Sequence, residues 1–263
     1  MRTPLLDRTN APLNRLALWR IQLDNSCPYE KIETHGDEVC IFPLVGAFRV
    51  EVDGVTIYDL PGRRKVTDSL SCVLRFPEGN NFTIVPYTSG YAADMLMATM
   101  EQHESVHDGG IAANQASQAQ YTAIYPHEVG DGCYARKVTE VHTPDGYRIH
   151  CGQTYSDGIN GCWSSWPSHA EPEEVARYAE HEEVFWCYTE GYGLINFNGK
   201  YVTGEEAQGV RVVQHNTAFV TPLGSHEIVF SPKAESLYVW FYISFLKKTY
   251  NKYAHEGVKV YTK

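Results

Sequence analysis

Three short stretches in the second half of the chain carry side chains that suit metal-dependent chemistry. The stretch from Cys162 to Glu171 reads Cys-Trp-Ser-Ser-Trp-Pro-Ser-His-Ala-Glu, which places His169 two residues before Glu171. Glu183 stands at the head of an apolar run, and His226 follows a Pro-Leu-Gly turn. Residues i and i+2 of a strand point to the same face, so His169 and Glu171 can enter one cavity that neighbouring strands complete. Imidazole and carboxylate groups together predict a site for zinc, manganese, iron or nickel.

Other residues of the same region are alternatives for these roles. Glu182 is next to Glu183 and should point to the opposite strand face, while His181 and His215 are further imidazoles that could serve as ligands. Glu171 could be a solvated glutamate on the rim, or the base that moves a proton. The metal-site interpretation depends on these residues occurring together, since a lone His or Glu usually has a structural or solvated role.

The composition bounds the class of protein and excludes several partners. With 263 residues and 43% hydrophobic residues, the chain can bury one large core or two smaller ones. The charge is 22 − 32 = −10, which argues against nucleic acid because phosphate binding requires a basic surface. No apolar run approaches the roughly 20 residues of a membrane span, and residues 1–20 lack the apolar core of a secretory signal. Seven cysteines without C-x-x-C spacing favour reduced thiols and therefore a cytoplasmic protein.

Short alternating segments separated by turns predict an all-β fold. Residues 47–52 alternate and end at Asp53-Gly54, which is typical of a hairpin turn. Each half offers roughly six to eight such segments, which predicts two β-sandwich or jelly-roll barrels with little helix. Residues 101–125 are polar and Gln-rich and form the candidate linker. We therefore divide the chain into an N-terminal barrel with its linker, residues 1–125, and a C-terminal metal-binding barrel, residues 126–263.

A weak internal repeat relates the two halves. Glu38 and Glu183 each open an apolar strand, and each strand is followed later by Pro-x-Gly, at residues 77–79 and 222–224. The first half has His35 but lacks a matching His-x-His or His-x-Glu pair with a later His. We therefore expect only the second barrel to hold metal.

Several motifs together resemble one family of enzymes. The specific part is Trp-Ser-Ser-aromatic-Pro-x-His at residues 163–169, followed by Glu-Glu-Val-Phe-Trp at 182–186 and Pro-Leu-Gly-Ser-His at 222–226. Weaker matches in the first half include residues 36–40 and 76–79. Over most of its length the chain resembles the bicupin sugar-acid isomerases. These are 5-deoxy-glucuronate isomerase of inositol catabolism and 4-deoxy-L-threo-5-hexosulose-uronate ketol-isomerase of pectin breakdown.

The resemblance implies a bicupin whose second barrel binds one divalent metal through three His and one Glu. His169, Glu183 and His226 match three of these ligands, whereas Glu171 stands where the family has its second His. A second departure is Ile195-Asn196, where the family tends to place a Gln. The implied ion is manganese or zinc. A carboxylate in place of imidazole favours a harder ion such as manganese or iron, and nickel stays open.

The resemblance also implies an aldose–ketose isomerase, an intramolecular oxidoreductase that acts on a 5-deoxy-glucuronate-like sugar acid through an enediolate. Glu171 and Tyr238 are candidate catalytic groups, and Trp163, Trp166 and Arg63 are candidate substrate contacts, although aromatic residues of β proteins more often pack in cores. Two alternatives stay open: a metal-dependent lyase or isomerase of another sugar or keto-sugar, and a non-catalytic sugar-binding cupin. The expected partner is a small sugar or sugar acid, not nucleic acid or membrane, and a homo-oligomer stays open.

Overall fold

The computed structural model describes an all-β chain. The described residues are 1–87, 92–101, 120–121, 124–144, 147–158, 163–170, 181–243 and 253–254. Within them, the one helical element is a 3-10 turn at Gly132–Tyr134, and nothing in these ranges is a helix able to cross a membrane. Most of the candidate linker, residues 102–119, lies outside the described residues.

The chain divides into two compact units. The first consists of Met1–Asp7, Arg15–Tyr125 and Val141–His150, and the second consists of Arg8–Asn14, Pro126–Glu140 and Cys151–Lys263. The main division therefore falls between residues 125 and 126. Two short segments depart from this division: residues 8–14 belong to the second unit, and residues 141–150 belong to the first. No sequence pattern marks either segment.

The first unit is built on one nine-stranded antiparallel sheet. Its strands are β1 Arg2–Leu6, β2 Leu16–Leu23, β3 Glu30–Glu33, β4 Asp37–Val52, β5 Val55–Arg63, β6 Leu74–Phe76, β7 Asn81–Pro86, β8 Ala93–Glu101 and β9 Gln120–Tyr121. Hydrogen-bonded neighbours follow the order β1-β2-β8-β4-β6-β9, while β5 and β7 also pair with β4, and β3 pairs with β7.

Strand β4 is sixteen residues long, and its two ends pair with different strands. Residues 37–45 pair with β8, whereas residues 46–52 pair with β5. The pairing register shifts on both sides of Gly46, as expected where a bulge bends a strand. Gly46 has a φ of +79°, and a side chain there would overlap the carbonyl oxygen of Ala92. Only glycine therefore fits this bend without strain.

The hairpin between β4 and β5 follows the sequence pattern. Phe48 and Val50 are fully buried in the core. Asp53 and Gly54 both have positive φ, 51° and 76°, which a two-residue turn matched to the strand twist requires. The alternation and the turn chemistry therefore act together to set the register of this hairpin.

A buried ion pair holds a returning segment in the first unit. Glu38 and Arg75 are both buried, with 3.8 Å between Glu38 Oε1 and Arg75 Nη1. The backbone N–H groups of Arg148 and Ile149 donate to the Glu38 carboxylate at 2.7 and 3.0 Å, and Arg75 donates to the Ile149 carbonyl. Burial raises the pKa of Glu38, against the opposing effects of Arg75 and these two N–H groups. These bonds explain why residues 141–150 belong to the first unit.

The second unit is built on two antiparallel sheets. Its strands are β10 Ile124–Val129, β11 Arg136–Val141, β12 Ile149–Ser156, β13 Trp163–Ala170, β14 Glu182–Thr189, β15 Gly193–Lys200, β16 Glu206–Val213, β17 Ala218–Thr221, β18 Leu223–Phe230, β19 Ser236–Ile243 and β20 Tyr253–Ala254. The end residues 124–125 of β10, 141 of β11 and 149–150 of β12 belong to the first unit. The six-stranded sheet has the order β10-β11-β12-β19-β14-β17, and the five-stranded sheet has the order β16-β15-β18-β13-β20.

Aromatic rings from the two sheets meet in the core of the second unit. The ring centroids of Phe197 in β15 and Phe219 in β17 are 6.0 Å apart. Those of Phe230 in β18 and Tyr238 in β19 are 6.4 Å apart. The two sheets therefore pack face to face as a sandwich, and side chains that point inward from either sheet share one interior.

Gly46→Ala is expected to lower the free energy of unfolding by about 2–5 kcal/mol. The alanine would be strained by the left-handed φ, and its Cβ would clash with the backbone of Ala92. Gly54→Ala is the matched control, since Gly54 has a similar φ of +76° but nothing within 4 Å of an added Cβ. The control should lose only about 1–2 kcal/mol. Urea unfolding followed by fluorescence measures both variants. Equal losses would contradict a specific steric role for Gly46.

Candidate metal centre

Glu183 and His226 come from opposite sheets and meet inside the second unit. Glu183 is the second residue of β14, and His226 lies in the middle of β18. They are 7% and 5% exposed, and 3.9 Å separates Glu183 Oε2 from His226 Nε2. Two of the four predicted metal ligands are thus brought together from positions 43 residues apart in the sequence.

Among the described residues, the surroundings of this pair combine the Thr221 hydroxyl with aromatic rings. Thr221, at the end of β17, donates from its hydroxyl to Glu183 Oε2 at 3.0 Å. The ring of Phe185 meets the His226 ring edge-on, with 5.3 Å between centroids. Sequence reasoning missed Thr221, although it immediately precedes the Pro-Leu-Gly-Ser-His motif. A carboxylate in so apolar a site requires a cationic partner, because desolvation of the charge is costly.

The donor set fits a divalent transition metal. The separation of 3.9 Å is shorter than twice a metal–ligand distance of about 2.1 Å, so a single ion can contact both atoms. Among the described residues, no group of three His, Cys, Asp or Glu side chains surrounds a common point. The fit therefore rests on one carboxylate and one imidazole.

Of the two remaining predicted ligands, the structure describes the strand position of His169 but not Glu171. Strand β13 pairs with β18 so that His169 is the Cα partner of His226. Ser164 pairs with Ile228, and between these two pairs β13 has four residues where β18 has one. This large bulge sets the register of His169 and was not evident in the sequence. Glu171 lies outside the described residues.

Tyr238 lies next to the pair, across the ring of Phe185. Its ring stacks on Phe185 at 4.9 Å and 12°, while Phe185 also contacts His226. Its hydroxyl is hydrogen-bonded to the hydroxyl of Ser164 at 2.7 Å and is 3.4 Å from that of Ser165. Tyr238 is 4% exposed, so its phenol is a buried, oriented polar group.

Of the two predicted substrate tryptophans, Trp163 is not brought to this pair. Trp163 is 41% exposed, and its Cα partner is Val229. Since Ile228 is fully buried and successive residues alternate, Trp163 lies on the sheet face opposite to that of His226. The side chain of Trp166 is outside the described part of the structure.

Arg63 lies in the first unit with its guanidinium directed at backbone carbonyls. It donates to Pro43 at 2.9 Å, to Asp68 at 2.6 Å and also to Val66. Burial lowers the pKa of Arg63 to about 10. Its donors therefore hold the loop that follows β5.

The alternative ligands have other surroundings. Glu182 is buried and accepts the backbone N–H of Asn14 at 2.9 Å. The ring of His181 packs 5.4 Å from that of Tyr242, and His215 is exposed beyond the end of β16. The structure therefore favours Glu183 over Glu182 as the partner of His226.

Comparisons with known proteins identify the fold and the family. An IolB-like protein from Salmonella typhimurium LT2 aligns with a TM-score of 0.74 and 14% identity over 95% of this chain and 92% of that chain. Oxalate decarboxylase from Lactobacillus farciminis, solved as a formate complex, aligns with a TM-score of 0.60 and 14% identity over 93% of this chain and 83% of that chain. A mutant of the Bacillus subtilis oxalate decarboxylase OxdC aligns with a TM-score of 0.60 and 12% identity over 97% of this chain and 74% of that chain.

These structural likenesses show a cupin-like all-β fold and, at such low identity, the fold alone. No curated protein matches the chain. The model of the KduI/IolB family, the 5-deoxy-glucuronate isomerase family, matches residues 7–258, which is nearly the whole sequence. The chain therefore belongs to the KduI/IolB family.

Proposed function

We propose that this chain is a metal-dependent isomerase of a sugar acid of the 5-deoxy-glucuronate type. Membership of the KduI/IolB family implies a sugar-acid isomerase. The observation that carries the metal dependence is the buried Glu183–His226 pair at 3.9 Å, with His169 at the paired strand position. A bicupin of two jelly-roll barrels is part of this proposal, and the cupin-like neighbours support it.

His169, Glu183 and His226 would hold one divalent ion, manganese or zinc, with Glu171 as the fourth ligand or as the adjacent base. Such an ion supplies Lewis-acid chemistry that stabilises negative charge on substrate oxygens when it is bound. The Thr221 hydroxyl orients the Glu183 carboxylate through Oε2, in the manner of groups that fix a ligand from behind.

The metal belongs in the second unit only. In the first unit the corresponding strand entry, Glu38, already has Arg75 and two backbone N–H groups as partners. A carboxylate satisfied in this way leaves no need for a cation. His35, the first-half histidine named in the sequence analysis, is highly exposed, and its Nε2 is 3.3 Å from Glu33 Oε2.

An aldose-to-ketose isomerisation needs two proton transfers. A proton leaves C2 and returns to C1, while the hydroxyl proton passes from O2 to O1. Glu171, where it is not a ligand, is the proposed base for the carbon-bound proton. Tyr238 is the proposed donor to a substrate oxygen, because its phenol is buried and held by Ser164. The ring of Phe185 covers one side of Tyr238 and helps to exclude water.

The function is tested by incubating the metal-loaded protein with 5-deoxy-glucuronate in D2O and following products by NMR. An aldose–ketose isomerase yields the ketose, with deuterium incorporated at the carbon that receives the proton. Turnover of a different sugar or keto-sugar in a substrate screen would favour the alternative enzyme. Binding without turnover of any sugar would favour a non-catalytic cupin.

His226→Ala should weaken metal binding by roughly 100-fold or more, because loss of a ligand exceeds the effect of losing a supporting group. His215→Ala is the matched control, since His215 is exposed and away from the pair. Plasma mass spectrometry of the purified proteins measures metal content. The same metal content in both variants would remove His226 from the ligand set.

Glu171→Gln separates the two roles proposed for Glu171. A ligand role predicts lower metal occupancy in this variant and restored binding in Glu171→His. A base role predicts full occupancy with a rate lower by about 10²–10⁴-fold. Metal content and rate are measured on the same preparation. Full metal with full rate would leave Glu171 as a residue of the rim.

Tyr238→Phe should lower the rate by about 10²–10⁴-fold while metal content stays unchanged, because the phenol proton is lost. Ser164→Ala breaks the same 2.7 Å hydrogen bond and retains the phenol. It should lose about 1–3 kcal/mol of stability and keep most of the rate. Steady-state kinetics and thermal unfolding distinguish the two variants. If both variants lose rate equally, the hydrogen bond and not the phenol is what the reaction needs.

A further inference from the structure

A sugar acid carries a carboxylate, and a selective site pairs that charge with a cation. Arg63, the first candidate, directs its guanidinium at backbone carbonyls. The face of the five-stranded sheet that carries His226 offers a different residue. Among the described residues of β15, β16 and β18, Arg211 is the only Lys or Arg on this face, because Lys200 falls on the other face by register.

The strand register places Arg211 close to His226. Arg211 pairs with Ile195 in β15, and the next residue of β15 on this face, Phe197, is the Cα partner of His226. The guanidinium carbon of Arg211 lies 5.5 Å from the centroid of the Phe197 ring. The Arg211 side chain therefore leans over a ring that is the direct cross-strand neighbour of His226.

We propose that Arg211 binds the carboxylate of the substrate, while the reacting end of the sugar lies at Glu183 and His226. Phe197 is 2% exposed and Arg211 is exposed, so the ring is a fixed platform and the guanidinium faces solvent. A guanidinium stacked on a ring is held in orientation, yet its N–H groups remain free to bind a carboxylate in a bidentate manner. Within the described part of the chain, this guanidinium makes no ion pair with Asp or Glu.

The dimensions agree with this assignment, which rests on the proposed function. Strands β16 and β18 are two strand spacings apart, about 10 Å, and Arg211 is level with Ile228, two residues or about 7 Å along β18 from His226. The Cα atoms of Arg211 and His226 are therefore about 12 Å apart, and the Arg211 side chain shortens that distance by leaning over the Phe197 ring. An open-chain six-carbon sugar acid extends about 6 Å from C1 to its carboxylate carbon, given C–C bonds of about 1.5 Å. One molecule can therefore reach from the Glu183–His226 pair to Arg211, at the edge strand of the sheet.

Calorimetric titration with D-glucuronate and with its methyl ester tests the assignment, because the two probes differ in the carboxylate charge. The wild-type chain should bind D-glucuronate more tightly than the ester. Arg211→Met should weaken D-glucuronate binding about 10- to 100-fold, the range expected for a charge-assisted hydrogen bond, and leave ester binding unchanged. Lys200→Met, which removes one positive charge from the other face of the sheet, should keep the preference.

A preference for D-glucuronate that survives in Arg211→Met, or that the wild type lacks, would overturn the assignment. Arg211→Lys is the second variant, should Arg211→Met fail to fold, and it should bind D-glucuronate less tightly than the wild type because it loses the bidentate fork. Turnover of 5-deoxy-glucuronate, measured on the same preparations, separates the two proposals. If 5-deoxy-glucuronate is turned over but Arg211→Met still prefers D-glucuronate to its ester, the carboxylate subsite is refuted and the isomerase proposal stands. An Arg211-dependent preference without turnover supports the subsite and refutes the isomerase.

Discussion

Buried carboxylates at strand entries are the constraint on which both units depend, because an ion inside apolar sheets must have a partner. Glu38 finds its partners within the protein: Arg75 and two backbone N–H groups. In the part of the chain that the structure describes, Glu183 has the Thr221 hydroxyl and the imidazole of His226 beside it. The first arrangement is complete without a cation and holds a segment of chain in place. The second presents oxygen and nitrogen donors to an ion, which is why the two halves, similar in sequence pattern, are proposed to differ in function.

The two packed sheets of the second unit bring residues that are far apart in the sequence into one site. β14 contributes Glu183 and Phe185 from one sheet, and β18 contributes His226 from the other. The ring of Phe185 contacts both His226 and Tyr238, so a single aromatic residue connects the candidate ligand with the candidate acid. Rigid ring packing of this kind fixes side-chain positions that a functional site must hold. The hydroxyl of Ser164 then sets the orientation of the phenol.

The two arginines considered for the substrate carboxylate show how placement decides a role that residue type leaves open. Arg63 and Arg211 carry the same group, and both lie in strands, Arg63 at the end of β5 and Arg211 in β16. Arg63 is buried among backbone carbonyls of β4 and of the loop that follows β5. Arg211 is exposed on an edge strand and stacked on Phe197, beside the strand that carries His226. Only an arginine with its N–H groups directed outward can meet an anionic ligand.

The sequence by itself determined the all-β class, the Asp53-Gly54 hairpin and the residue types of the candidate site, because side-chain alternation and turn chemistry are local properties. The family follows from its motifs in the same way. Only the tertiary structure decided that Glu183 and His226 lie 3.9 Å apart, and that Trp163 faces away from them. The physical reason is that strand pairing is a long-range property. A bulge such as that in β13 changes the register without any local signature, and the choice of neighbouring strand decides which side chains share a cavity.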